Sequence, residues 1–155
     1  MTRFNLNDAS PEYDESDPEG SRAGADRVGP RIGATQLGAT IYELPPGQSI
    51  CPYHYEDPDE EWLLVWSGRV VLRTPAGEEE LEPLDVVCFP PGPEGAHKVT
   101  NRAEETARVV MLSTKPPVSV AVYPDSGKIL AHPSNREDRL MARRADGVDY
   151  YDGEV

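Results

Sequence analysis

Between Gly33 and Lys115, short apolar runs alternate with joints built from Gly, Pro and acidic residues, and no helical period is sustained. Residues 40–44 read as a strand closed by Pro45-Pro46-Gly47. Residues 62–66 are an apolar run stopped by Ser67-Gly68. Residues 70–73 lead into Thr74-Pro75-Ala76-Gly77, with Pro and Gly where a type I turn wants them, and residues 78–82 return as a polar edge strand. Residues 86–89 are short and apolar and stop at Pro90-Pro91-Gly92-Pro93, and residues 108–113 form the last clear strand. Short strands at roughly ten-residue spacing, with Gly and Pro at the joints, predict an all-β barrel or sandwich.

Side chains alternate along a strand, so Glu61, Leu63 and Val65 share one face and Trp62, Leu64 and Trp66 the other. A barrel strand wet on its outer side should be polar there, yet this one is apolar on both. Something must cover the second face. We expect a homodimer with Trp62 and Trp66 near the contact, the alternative being the chain's own tails.

Those tails differ in composition from the middle. Residues 1–32 read as an acidic N-terminal tail, since positions 1–30 hold seven acids and three bases and little that builds a core. Residues 33–115 form the barrel, and 116–155 a C-terminal extension. In the extension Pro124-Asp125-Ser126-Gly127 marks a turn. Ser134 and Glu137 have capping-box spacing ahead of Leu140 and Met141, and Gly147 could end the element, so a short helix is expected there. Ser126-Gly127-Lys128 is not a phosphate loop, because Val122 stands where the earlier glycine belongs and Ile129 follows the lysine.

Charge narrows the partners. With 28 acids against 15 bases the 155-residue chain carries −13, a field that repels nucleic acid and anionic membranes. No run reaches the roughly 18 apolar residues of a membrane helix, and the N-terminus lacks a signal-peptide core. Two cysteines, Cys51 and Cys88, are too few for a disulfide framework and read as buried thiols in a reducing compartment. The expectation is a cytoplasmic protein.

The chemistry concentrates in CPYHYEDPDEEW, residues 51–62. His54 and Glu56 share a face by alternation. Glu61, if it points inward with Leu63 and Val65, brings a carboxylate into an apolar interior, which is costly without a cation or strong donors. His97 lies further on, at the start of a strand after the Pro/Gly-rich turn. Two histidines and an acid from separate strands form the facial set that suits non-haem iron or a similar divalent ion. Glu56 adds a second carboxylate. The expected ligands are therefore His54, Glu56, Glu61 and His97, around one divalent transition metal: Fe, Mn, Ni, Co and Zn all fit. Asp57, Asp59 and Glu60 read as a solvated loop bent at Pro58, Tyr53 and Tyr55 as packing residues facing away from the ion, Arg73 and Arg108 as surface arginines, and His132, in an Ala-His-Pro context, as exposed.

These residues resemble the cupin superfamily, whose fold is a double-stranded β-helix, a small jelly-roll barrel. Its first motif runs Gly, about five residues, His-x-His, three or four residues, Glu, six residues, Gly. Here Gly47 leads, one residue early, His54 and Glu56 occupy the His-x-His slots, and Glu61 and Gly68 follow in register. The second motif runs Gly, five residues, Pro-x-Gly, two residues, His, three residues, Asn. Pro90, Gly92, His97 and Asn101 match it, with four residues before the histidine and Leu84 in place of the opening glycine. The similarity spans residues 34–115, and the tail around Tyr123–Lys128 also looks like that of small single-domain bacterial cupins.

The resemblance implies metal-dependent dioxygenases, isomerases, decarboxylases or lyases, and also binding or sensory barrels. Glu56 departs from the pattern; it can ligate the ion, act as a general base, or mark a degenerate site. The expectation is a metal-dependent enzyme acting on a small polar or aromatic molecule inside the barrel, with Glu56 as its catalytic residue. The alternative is a non-catalytic barrel that binds a metabolite or metal.

Overall fold

The computed structural model describes residues 1–154, with the backbone alone at position 136. Among these, the strands are β1 (Gly24–Arg27), β2 (Leu37–Leu44), β3 (Tyr55–Asp57), β4 (Glu61–Ser67), β5 (Val70–Thr74), β6 (Gly77–Leu81), β7 (Val86–Phe89), β8 (Lys98–Thr100), β9 (Ala107–Thr114), β10 (Ser119–Tyr123), β11 (Lys128–His132) and β12 (Leu140–Arg143). Every strand expected from the apolar runs is present. The ones missed are short or polar, or lie in the two end segments.

The strands pair antiparallel in three sheets, ordered β1-β2-β9-β4-β7, β12-β11-β10-β3 and β6-β5-β8. His54 and His97 sew the last two together. They form an isolated antiparallel bridge, His54 N donating to the His97 carbonyl at 3.1 Å and His97 N to the His54 carbonyl at 2.8 Å. The resulting closed stack is the double-stranded β-helix that the motif spacing implied. Its core joins Leu44, Leu63, Val65, Val70, Leu72 and Val109 with Phe89 and Val99. Leu63 and Val65 are fully buried while Trp62 is 45% exposed, as the alternation in β4 requires.

Two backbone positions explain the motif residues that bind nothing. Gly68 has φ +74, and a Cβ there would come within 2.7 Å of Ala107 Cα, so the turn after β4 needs glycine on both counts. Leu84, where the family pattern has glycine, also has a positive φ, +78. The conformation survives although the residue that favours it is absent, held by Leu84 N donating to Val65 O at 2.7 Å. Asn101 is fully buried. Its Nδ2 donates to the carbonyls of Leu44 at 2.8 Å and Glu105 at 2.7 Å, and its Oδ1 accepts from Ala103 N at 2.9 Å. It is a structural staple.

The end segments are woven into the barrel. β1 pairs with β2, and Phe4, Ala9 and Ile32 pack with Leu64 and Trp66 against a cluster of Val28, Ile41 and Val110. Tyr13 Oη donates to Glu43 Oε1 at 2.6 Å, and Arg108 closes on the other oxygen of that carboxylate at 2.6 Å. The chain's own N-terminal segment thus covers Trp66, whereas Trp62 stays exposed beside an apolar cleft of about 310 Å³ with Leu37 and Leu112.

Several expectations are corrected. The helix expected near Ser134 is instead β12, flanked by single 3₁₀ turns at Arg136–Asp138 and Arg144–Asp146. Capping-box spacing is a weak local signal, and pairing with β11 outweighs it. Cys88 is exposed, because β7 is a sheet edge and the thiol shares the outer face with Trp62 opposite. Asp59 is buried, with Thr114 Oγ1 from β9 donating to it at 3.5 Å. His132 is half-buried at the end of β11, in a cleft of about 190 Å³.

Candidate metal centre

Three side chains converge at the seam between the sheets. The ligand atoms of His54, Glu61 and His97 all lie within 4.8 Å of one another. Glu61 Oε2 is 3.9 Å from His54 Nε2 and 3.6 Å from His97 Nε2. Each comes from a different segment: Glu61 opens β4, His97 precedes β8 and His54 precedes β3.

The backbone sets the tautomers. His54 Nδ1 lies 3.0 Å from the Pro52 carbonyl and His97 Nδ1 2.9 Å from that of Gly95. A carbonyl only accepts, so both Nδ1 atoms carry hydrogen and both Nε2 atoms of the neutral rings present lone pairs. Those lone pairs point at the carboxylate. His97 Nε2 is buried and has no hydrogen-bond partner. A buried acceptor left unmatched is costly, and a cation at this point satisfies it. Phe89, which pairs with Glu61 across β7 and β4, stacks on the His97 ring at 3.7 Å and 9°. Tyr123 stacks on the His54 ring at 5.7 Å.

Burial shifts all three groups toward their neutral forms. It lowers His54, and it lowers His97 to about 4 with help from the neighbouring His54, so both imidazoles are neutral at pH 7. Burial, then the Asp59 charge, pushes the Glu61 carboxyl up to about 7. Cys51 Sγ lies 3.5 Å from His54 Nδ1, and burial pushes its thiol up to about 12, so it is a neutral neighbour.

Glu56 is not among the three converging groups. It lines the 190 Å³ cleft with Asp59, Ser119, Lys115 and His132. It remains near enough to act with Glu61 on the Tyr123 phenol, which burial first and these charges afterwards push up. Arg73 and Arg108 are committed elsewhere, Arg73 to Asp125 at 2.6 Å and over the Tyr53 ring at 3.9 Å, and Arg108 to Glu43. Sequence reasoning missed Tyr123, Asp59 and His132. Tyr123 was findable, since it immediately precedes a strong turn signal; the other two depend on how distant strands pair.

A double-stranded β-helix with two histidines and a glutamate inside is a barrel with a candidate metal site. Residues 40–113 match the family described as Cupin domain, and the barrel they build is a cupin domain. Two solved structures share the fold over nearly their full length. One is a sugar phosphate isomerase from Silicibacter pomeroyi, 22% identical, with 97% of this chain and 98% of that one covered at a TM-score of 0.82. The other is a putative sugar phosphate isomerase from Acidithiobacillus ferrooxidans, 23% identical, with 96% and 94% covered at 0.82. A polyketide cyclase from Streptomyces resistomycificus aligns less completely, at 21% identity, 74% and 79% coverage and a TM-score of 0.60. No curated protein matches the chain significantly. Among the described residues no helix is long and apolar enough to cross a membrane.

Proposed function

We propose that this cupin is a metal-dependent isomerase acting on a small hydroxylated carbonyl compound of the sugar type. The observation that carries the reading is the orphaned, buried Nε2 of His97 aimed, with His54 Nε2, at the Glu61 carboxylate. The full-length likeness to two proteins named for sugar phosphate isomerisation favours isomerisation over oxygen chemistry. His54, Glu61 and His97 would hold one divalent ion of the Fe, Mn, Ni, Co or Zn type. Bound there, it supplies a Lewis acid that polarises a carbonyl or hydroxyl oxygen.

The chain's own groups do the rest. Glu56, in the adjoining cleft, takes a proton from the hydroxyl-bearing carbon beside the carbonyl and returns it to the former carbonyl carbon, while the proton of that hydroxyl passes to the former carbonyl oxygen, so atoms balance without a co-reactant. Tyr123 packs on the His54 ring and walls the site. A second reading, a barrel that binds a metabolite without turnover, is supported by Glu56 standing where the family pattern has a histidine.

The test loads the protein with manganese, iron, cobalt, nickel or zinc and follows aldose and ketose sugars, phosphorylated and plain, by NMR in D₂O. Interconversion with deuterium incorporation, lost in a folded but metal-free His97→Ala variant, is expected. Stoichiometric metal with no exchange in any sugar would favour the binding barrel.

We further propose a homodimer through the outer face of the five-stranded sheet, where Trp62, Leu37, Leu112 and Val86 remain exposed.

A further inference from the structure

The four-stranded sheet turns one face toward His54, and its register fixes what that face carries. Glu56 is opposite Ala121, Ala121 opposite Leu130, and Leu130 opposite Met141. Tyr123 is opposite Lys128, and Lys128 opposite Arg143. Directly opposed residues share a face, as do residues two apart along a strand. The stacking of Tyr123 on His54 shows that this is the face beside the metal centre. Ala121 and Leu130 give it a buried apolar floor.

Along this face the charges are arranged against expectation. Lys128 and Arg143 are direct cross-strand partners of like sign, a pairing that destabilises a sheet. Lys128 Nζ sits 5.2 Å from the Tyr123 ring centre, and Arg143 Nη1 donates to the Ser126 carbonyl at 3.0 Å. Arg139, one residue before β12, also acts on the Tyr123 phenol. Among the described residues no carboxylate forms an ion pair with any of the three. Six other arginines each hold one: Arg22, Arg31, Arg69, Arg73, Arg102 and Arg108. Arg3, Arg27, Lys98, Lys115 and Arg144 also lack a carboxylate partner among the described residues. What sets Lys128 and Arg143 apart, with Arg139 two residues before Met141, is that they share the face beside His54, where an anion from outside can meet them.

We propose that Lys128, Arg139 and Arg143 hold an anionic group, a phosphate or a carboxylate, of the molecule whose reacting carbons lie at His54, Glu61 and His97. The anion site stands on the charge arrangement; its link to the reacting carbons rests on the isomerase reading. Tyr123, between the cations and His54, sets the spacing between the anion and the reacting end.

Calorimetric titration of inorganic phosphate, glucose 6-phosphate and glucose into manganese-loaded protein tests this. Phosphate and the phosphorylated sugar should bind, and glucose should bind at least about tenfold more weakly than its phosphate. Lys128→Gln and Arg139→Gln should each weaken phosphate about tenfold with metal content unchanged, and Lys128→Arg should retain it. The same titration on metal-free His97→Ala protein separates the two ideas. Phosphate binding that persists there and still depends on Lys128 supports the anion site even if no turnover is found. Phosphate binding absent from the loaded protein, indifferent to Lys128 and Arg139, or lost with the metal alone would overturn it.

Discussion

The ring of Phe89 lies flat on that of His97, centroids 3.7 Å apart and planes 9° from parallel. The stack and the bond from Nδ1 to the Gly95 carbonyl together hold the Nε2 lone pair on its line toward Glu61. Phe89→Leu keeps the site apolar but removes the flat backing. Metal affinity should fall about tenfold, measured by competition with a chelating dye, while the barrel stays folded. An unchanged affinity would mean that the Gly95 carbonyl alone orients the ring.

Glu61 gives a pH dependence whose sign is fixed by its direction of shift. Burial, then Asp59, raises it to about 7 in the metal-free protein. The fold therefore holds this proton more tightly than the unfolded chain does, and that contribution to stability fades as pH rises through 7. Glu61→Gln should stabilise metal-free protein at pH 8, by at most on the order of 3 kcal/mol, with little gain at pH 4. His97, lowered to about 4, works in the opposite window, losing stability as pH falls from 6.5 through 4. Urea titrations of both proteins at pH 4 and pH 8 in chelator check this, and an equal gain at both would refute it. Metal binding to the wild-type chain should strengthen as pH rises through 7, because the ion displaces the Glu61 proton.

Leu84 occupies a left-handed backbone position, φ +78, with its side chain 77% exposed. It gains little from burial and carries the strain of a Cβ in the wrong region. Leu84→Gly should raise stability by about 1 kcal/mol, a few degrees in Tm, with metal content unchanged. A lower Tm would show that the side chain contributes contacts that outweigh the strain.

The proposed dimer face makes Trp62 its marker. Trp62→Asp should leave the barrel folded, since the indole projects away from the core. Sedimentation velocity should show a dimer for the wild-type chain and a monomer for the variant. A wild-type monomer at tens of micromolar would remove the dimer.

How much was legible in advance follows from which interactions are local. The alternation in residues 61–66 announced the inward turn of Glu61, because one buried side fixes the register of a strand. The spacing of His54, Glu61 and His97 carried both the fold and the three groups that meet. The face shared by Glu56, Tyr123, Lys128 and His132 was not readable. It exists because β10 pairs with β3 across some sixty residues of intervening chain, and no local signal encodes that choice of neighbour. The acidic loop was half right: Asp57 and Glu60 are exposed, while Asp59 is drawn inward by Thr114 from β9. Trp66 shows the same limit, because Phe4 and Ala9 reach it only after the N-terminal segment folds back over β2.

The bridge between His54 and His97 also divides the site along the polypeptide. All three converging groups lie before β10, whereas the surface beside them is built from β10 onward. Pairing of β10 with β3 sets Tyr123 over His54, and β11 and β12 bring Lys128 and Arg143 to the same face. On the proposed reading, holding the ion and choosing the molecule it acts on therefore belong to successive stretches of one chain.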